Sequence, residues 1–187
     1  LPGDMFFAPK QAKVLRRIAA KGRDGFYCGE VADDMVQSLT AFGGAHQLSD
    51  FADQKAFYTH PIRGTYNGFD LVEHPPNGQG ATAILLLNIL SHFDLAALPP
   101  FGAVRTHMET EATKLAYQAR NAIIADPANT EGLEQMLSLE FAQKLAGEIS
   151  LTSAGQAPNP IIEAVHQDTI YITVVDQDRM SVSLIYS

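Results

Sequence analysis

Residues 167–187 read Q-D-T-I-Y-I-T-V-V-D-Q-D-R-M-S-V-S-L-I-Y-S. Two runs rich in Val, Ile, Thr and Tyr flank a short polar break, Gln177-Asp178-Arg179-Met180. β-branched and aromatic side chains suit a pleated strand and an Asp-rich break suits a turn, so the stretch predicts a buried hairpin. Thr169 stands at the head of its first strand. On spacing alone it reads as one more strand threonine, a residue type common in sheets. A chemical alternative exists. If the peptide bond before Thr169 is cut, the freed α-amine lies on the same residue as the hydroxyl. An α-amine titrates at about 7.7–8.0, so near neutral pH it can take the hydroxyl proton. A nucleophile held at the mouth of a strand is also held in position to react.

The rest of the chain supplies mostly helices. Pro9 suits a first helical turn, and Ala12, Leu15, Ile18 and Ala19 share one face of a helix over Pro9–Lys21 that Gly22 stops. A second helix is expected over Gly29–Phe42, with Val31, Met35, Val36 and Leu39 as its buried stripe. Ser49-Asp50 starts a short helical turn, and Lys55–His60 reads as a strand. Asn67-Gly68, between residues 62–66 and 69–74, suits a type I′ turn because both central positions need positive φ.

Pro75-Pro76-Asn77-Gly78-Gln79-Gly80 is glycine-rich but lacks the Lys-Ser/Thr of a P-loop and the glycine spacing of a dinucleotide fingerprint. Asn77 is instead expected to cap a helix over Ala81–Phe93. Ile84, Leu85, Leu86, Leu87, Ile89, Leu90 and Phe93 cannot share one side, so that helix belongs in a centre. It is too short to span a membrane. A long helix over Ala103–Ile124 follows, with Val104, Met108, Ala112, Leu115, Ala119 and Ile123 as its stripe. Two short helices, Leu133–Leu137 and Leu139–Ile149, come next. An aperiodic loop, Leu151–Val165, leads to the terminal hairpin. Helices first and a hairpin last predict an α+β fold.

A formal charge of −8 and a pI near 5.1 argue against a general nucleic-acid binder, which carries a basic patch. One cysteine, Cys28, leaves no intrachain disulfide to form and reads as a small, partly buried residue at a helix start. His107 and Glu111 lie four apart on one helix face, as a metal pair would, yet no third ligand follows at matching spacing; no metal site is expected. Tyr171 and Asp176 read as strand packing and turn formation. The chain begins at Leu1 and ends inside a strand pattern, so it reads as an internal piece of a longer protein.

The terminal stretch resembles the start of the small subunit of γ-glutamyltransferases, which are N-terminal-nucleophile hydrolases. Thr169, Thr173, Val174, Val175, Asp176, Asp178, Val182, Ser183 and Ser187 match the family pattern T-T/x-H/Y-x-S/T-V-V-D-x-D-G-N-x-V-S-x-T-x-S/T. Ile170 replaces the common second Thr, Arg179-Met180 the usual Gly-Asn, and Ser187 the usual second Thr of the site. Leu15 through Tyr27 looks like the family's L-R-x-I-A-x-x-G-x-x-x-F-Y. Pro61 to Gly68 looks like P-[LI]-x-x-x-Y-x-G, and Pro75 to Gly80 like P-P-x-x-x-G. Glu111-Ala112, Leu115-Ala116-Tyr117, Arg120 and Asp126-Pro127 are similar to E-A-x-x-x-A-Y-x-D-R-x-x-x-x-x-D-P, with Ala119 where Asp is usual.

The resemblance implies a piece of an αββα sandwich: residues 1–168 from the end of the large subunit, with a small hairpin near 62–74, and residues 169–187 as the first two strands of the small one. It implies autocleavage between Asp168 and Thr169. Thr169 would then be both nucleophile and α-amine base, with Ser187 as a supporting hydroxyl. The implied substrates are γ-glutamyl amides such as glutathione, with water or an amino acid or peptide as acceptor, and no cofactor. The implied partners are the remainders of both subunits, which would hold the oxyanion hole and the carboxylate-binding arginine. The fragment alone would therefore be catalytically incomplete. The family is often periplasmic or extracellular. Acylases of β-lactam side chains and polyglutamate-processing transpeptidases share these motifs, and a non-cleaving scaffold paralogue would keep the fold.

Overall fold

The computed structural model describes residues 3–5, 7–156 and 170–186. The chain divides into two compact units, 1–58 and 59–187. The described residues are α+β, as expected: helices in both units and two small antiparallel hairpins in the second.

Among its described residues the first unit holds four helices: α1 (Pro9–Lys21), α2 (Asp24–Tyr27), α3 (Glu30–Ala41) and α4 (Leu48–Ala52). α1 starts on its proline, and Gly22 ends it at φ 60°, donating its N–H to Ile18 O at 2.7 Å. The expected α1 stripe is rotated. Val14 and Ile18 are half-buried, whereas Leu15 is 41% exposed and Ala19 is exposed too. On α3 the expected stripe is half-buried, and Ala32 between its members is the residue fully covered. α4 is opened by a capping box in which the Gln47 N–H donates to Asp50 Oδ2 at 2.8 Å. Cys28 is exposed rather than partly buried. It follows α2, with its thiol on the open side near Asp24 at 4.0 Å.

Charge ties α1 to α3. Lys13 Nζ meets Glu30 Oε1 at 2.6 Å and Arg17 Nη1 meets Glu30 Oε2 at 2.5 Å. The Lys13 hydrogen bond first, then that of Arg17, lowers the Glu30 carboxyl from its ordinary 4.5 to about 2. A carboxylate with a depressed folded pKa adds stability above its unfolded pKa and loses it as pH falls through the folded one. Acid is therefore expected to weaken the α1–α3 contact as pH falls from 4.5 to about 2. Salt should weaken it too, because the pair is exposed. Circular dichroism against pH, compared with Glu30→Gln, checks this: the variant should lack that part of the acid response.

Lys55–His60 forms no strand. Its side chains are exposed and no neighbouring backbone pairs with it, so its β pattern has no ladder to complete. The division between the two units falls within it.

The second unit is organised around α5 (Gly80–Leu90), which packs against α6 (Ala103–Ile123), α7 (Leu133–Leu137), α8 (Leu139–Gly147) and the hairpin of β1 (Ile62–Tyr66) with β2 (Phe69–Glu73). Neighbours on several sides explain why α5 has almost no polar face. Ala81, Ile84, Leu85, Ile89 and Leu90 are all buried on it. Opposite, α6 offers Met108, Ala112, Ala116 and Ala119, and small alanines let the two helices come close. Val104, expected in the α6 stripe, is 53% exposed in its first turn.

The β1–β2 turn is as expected. Asn67 and Gly68 have φ of 51° and 82°, and Tyr66 pairs with Phe69. Gly64 lets β1 lie directly on α5, since a Cβ there would stand 2.5 Å from Ile84 Cγ2. Asn77 does not cap α5. Gln79 holds the N-cap position and its backbone carbonyl accepts from the Thr82 and Ala83 N–H groups. The Gln79 side chain instead accepts from Arg120 Nη1 at 2.9 Å. The helix stops at Leu90, earlier than Phe93, with the Ser91 hydroxyl donating to Asn88 O at 2.7 Å. The buried Asn88 amide donates to Leu137 O at 3.2 Å, which fixes α7 against α5. No helix among the described residues is long and apolar enough to cross a membrane.

Candidate functional site

The terminal hairpin forms as its pattern dictates. β3 (Ile170–Val175) pairs antiparallel with β4 (Ser181–Tyr186), with Tyr171 opposite Ile185 and Thr173 opposite Ser183. Asp176 builds the turn. Its N–H donates to Met180 O at 3.1 Å and its carbonyl accepts from the Arg179 N–H at 3.1 Å. Its carboxylate accepts from the Asp178 and Met180 N–H groups, each at 2.9 Å. This is a type I turn closed by a left-handed residue, and Arg179 takes that position at φ 65°. A side chain there costs about 1–2 kcal/mol that glycine avoids. Glycine loses more freedom on folding and so recovers only part of that. Arg179→Gly is expected to stabilise by about 0.5–1 kcal/mol, read as a rise in the urea midpoint.

Tyr171, Thr173 and Val175 share one face with Ser181, Ser183 and Ile185, and the Tyr171 hydroxyl lies 2.8 Å from Ser183 Oγ. The Ser183 hydroxyl, and after it Thr173, holds the Tyr171 phenol below its ordinary value. Ile170, Ile172 and Val174 share the other face with Val182 and Leu184, all of them apolar. The expected burial is not reached within this chain: Val174 is 55% exposed and Val182 54%. A hairpin apolar on one face and mixed on the other needs a layer against each to be buried.

Thr169, the expected nucleophile, directly precedes β3 in sequence. Thr169, Asp168 and Ser187 lie outside the described residues.

A second polar arrangement stands on α6, of which the sequence shows only the spacing of His107 and Glu111. His107, Glu111, Lys114 and Gln118 fall on one helix face at steps of four, three and four. His107 Nε2 lies 2.7 Å from Ser150 O. Glu111 is buried, accepts from the Gly155 N–H at 2.9 Å and pairs with Lys114 Nζ at 2.6 Å. Lys114 Nζ also donates to Gly155 O at 2.9 Å, and Gln118 Nε2 to Gln156 O at 3.3 Å. The Lys114 hydrogen bond holds the Glu111 carboxyl below its ordinary value. Burial opposes this, and the Gly155 N–H and His107 assist it. His107 and Glu111, whose spacing suits a metal pair, are thus engaged with the 150–156 strap. Among the described residues no group of three or more His, Cys, Asp or Glu is placed to hold a metal ion.

A family model described as gamma-glutamyltranspeptidase matches residues 1–187. The chain belongs to the γ-glutamyltranspeptidase family. It is 34% identical over 188 residues to the glutathione hydrolase-like YwrD proenzyme of Bacillus subtilis (strain 168), covering 100% of this chain and 35% of that one. It is 33% identical over 192 residues to a glutathione hydrolase proenzyme of Pseudomonas sp. (strain A14), covering 100% of this chain and 33% of that one. The chain therefore spans about a third of the length of these curated relatives. Among solved structures, the γ-glutamyltranspeptidase of Pseudomonas nitroreducens complexed with L-DON superposes with a TM-score of 0.70 at 28% identity, over 83% of this chain and 48% of that one. In this γ-glutamyltranspeptidase segment, the Asp of the family's V-V-D-x-D run, Asp176, is the residue that shapes the hairpin turn. Arg120, which follows Ala119 where the family has Asp, bonds Gln79 and Asn121 and stacks 4.1 Å over the Tyr117 ring.

Proposed function

We propose that this chain is the junction segment of a γ-glutamyltranspeptidase proenzyme, with residues 1–168 from the large subunit and 169–187 opening the small one. The reading is carried by Thr169 at the threshold of β3, one residue before a hairpin whose turn the family's aspartate builds. Its relatives' names, proenzyme and glutathione hydrolase, support it. The Thr169 hydroxyl attacks the Asp168 carbonyl carbon, the peptide nitrogen leaves as the Thr169 α-amine, and water hydrolyses the resulting ester. The new amine then serves as base for the hydroxyl beside it. In each turnover Thr169 Oγ attacks the carbonyl of a γ-glutamyl amide and the amine of that amide departs. Water or an amino acid or peptide then takes the acyl group. Ser187 hydrogen-bonds the nucleophile.

The remainders of the two subunits supply the oxyanion donors, the arginine for the substrate carboxylate and the layers of an αββα sandwich that cover both faces of the β3–β4 hairpin. No cofactor takes part. The test is release of the chromophore from a γ-glutamyl chromogenic amide by the full-length parent. Release is the expected result. A parent that cleaves itself yet releases nothing points to an acylase, and one that never cleaves points to a scaffold.

A further inference from the structure

A cavity of about 280 Å³ opens in the second unit, between the β1–β2 turn, the end of α5 and the first turn of α6. The proposed transferase chemistry assigns it no part. Its walls carry one charge of each sign: Arg105 lines it from α6, and Asp94 lines it from the turn that follows α5. Arg105 is half-buried and spends its Nε–H on Glu109 Oε1 at 2.8 Å. The N–H groups on its two Nη atoms make no bond among the described residues. Asp94 spends Oδ1 on the Ala97 N–H at 3.3 Å, and its Oδ2 accepts nothing among those residues. The two charges line one cavity, yet no ion pair joins them.

A guanidinium and a carboxylate left unpaired in one cavity suit a ligand that carries both charges. An anion alone would be repelled by Asp94, and a cation alone by Arg105. We propose that this cavity binds a small zwitterionic α-amino acid with a neutral side chain. Arg105 receives the α-carboxylate on its Nη fork, and Asp94 receives the α-ammonium. Phe93 and Leu95 give the cavity an apolar wall. The Tyr66 hydroxyl and the Asn67 amide, neither of them bonded among the described residues, offer polar contacts to the ligand's side chain. The room is of the right size. At about 30 Å³ each, about nine waters fill it, and L-asparagine has about nine non-hydrogen atoms. The inference stands on the cavity alone and does not depend on the function proposed above.

The experiment is isothermal titration calorimetry of the full-length parent with L-asparagine and with succinamate, the same molecule without its amino group. The expected result is saturable binding of asparagine with a Kd below about 1 mM. Succinamate should bind at least about tenfold more weakly, having lost a charged hydrogen bond. Arg105→Met keeps the length of the side chain and gives up a partly exposed pair with Glu109, and it should weaken asparagine binding at least about tenfold. Asp94→Asn keeps an acceptor for the Ala97 N–H and should bind asparagine and succinamate alike. Should Arg105→Met fail to fold, Asp94→Asn and the succinamate comparison decide the matter. Asparagine bound equally well by wild type and both variants would overturn the proposal, since the amino acid would then sit elsewhere in the parent. The absence of saturable binding below about 1 mM would overturn it too. Neither result touches self-cleavage or γ-glutamyl turnover, by which the proposed function stands or falls.

Discussion

Thr169→Ala in the full-length parent is expected to give a single uncut chain and to lower γ-glutamyl turnover by about 10⁴-fold or more. Both effects have one cause. In the proposed mechanism the hydroxyl that opens the Asp168–Thr169 bond is the hydroxyl that later attacks the substrate, and alanine has none. Thr169→Ser separates chemistry from shape. A serine keeps the hydroxyl and the latent α-amine but loses the methyl that restricts χ1. It should still process and turn over, at reduced rates. Initial rates on the chromogenic amide, with the processed fraction measured in the same samples, check both variants. An uncut Thr169→Ala that kept wild-type turnover would place the nucleophile elsewhere.

Leu85→Ala is expected to destabilise the second unit by about 2–5 kcal/mol, with the loss read as a fall in the urea midpoint. Leu85 is fully buried on α5. That helix meets α6, α7, α8 and the β1–β2 hairpin, so neighbours on several sides would have to move to fill the space. A well-packed site collapses poorly around a cavity, which puts the cost toward the upper end. Leu139→Ala is the control. Leu139 is 66% exposed and its truncation should change stability by no more than about 0.5 kcal/mol. Equal costs at the two positions would mean that α5 is not the centre of this unit.

Local chemistry was readable in the sequence wherever a few adjacent residues decide the outcome. Asn67-Gly68 called for positive φ at both positions and has it, and Pro9 and Gly22 bound α1 as their backbones require. The all-apolar pattern of α5 correctly placed that helix at a centre. Outcomes that depend on distant partners were not readable. Lys55–His60 has a strand's composition but no neighbour to pair with. The Asn77 cap failed because the N-cap position of α5 falls two residues later, at Gln79. The face of α1 turned from Leu15 to Val14 because burial follows what stands opposite, not the period alone.

The site divides the same way. Thr169, Asp168 and Ser187 were identified through family resemblance, which carries chemistry along a chain without stating geometry. Asp176 could be read from the residues themselves, since an aspartate before a short polar turn is a turn former. The α6 polar arrangement was hidden because its partners are backbone atoms about forty residues away, which no spacing rule reaches. One signal was available: Glu111 is a charge inside an apolar helical stripe, and such a charge needs a partner.

The most direct measurement is the intact mass of the full-length parent after purification, with sequencing of any new amino terminus. The account predicts two chains whose masses sum to that of the precursor plus one water, the smaller beginning Thr169-Ile170-Tyr171. A single uncut chain that nevertheless releases product from the γ-glutamyl amide, or a cut at any other bond, would contradict it.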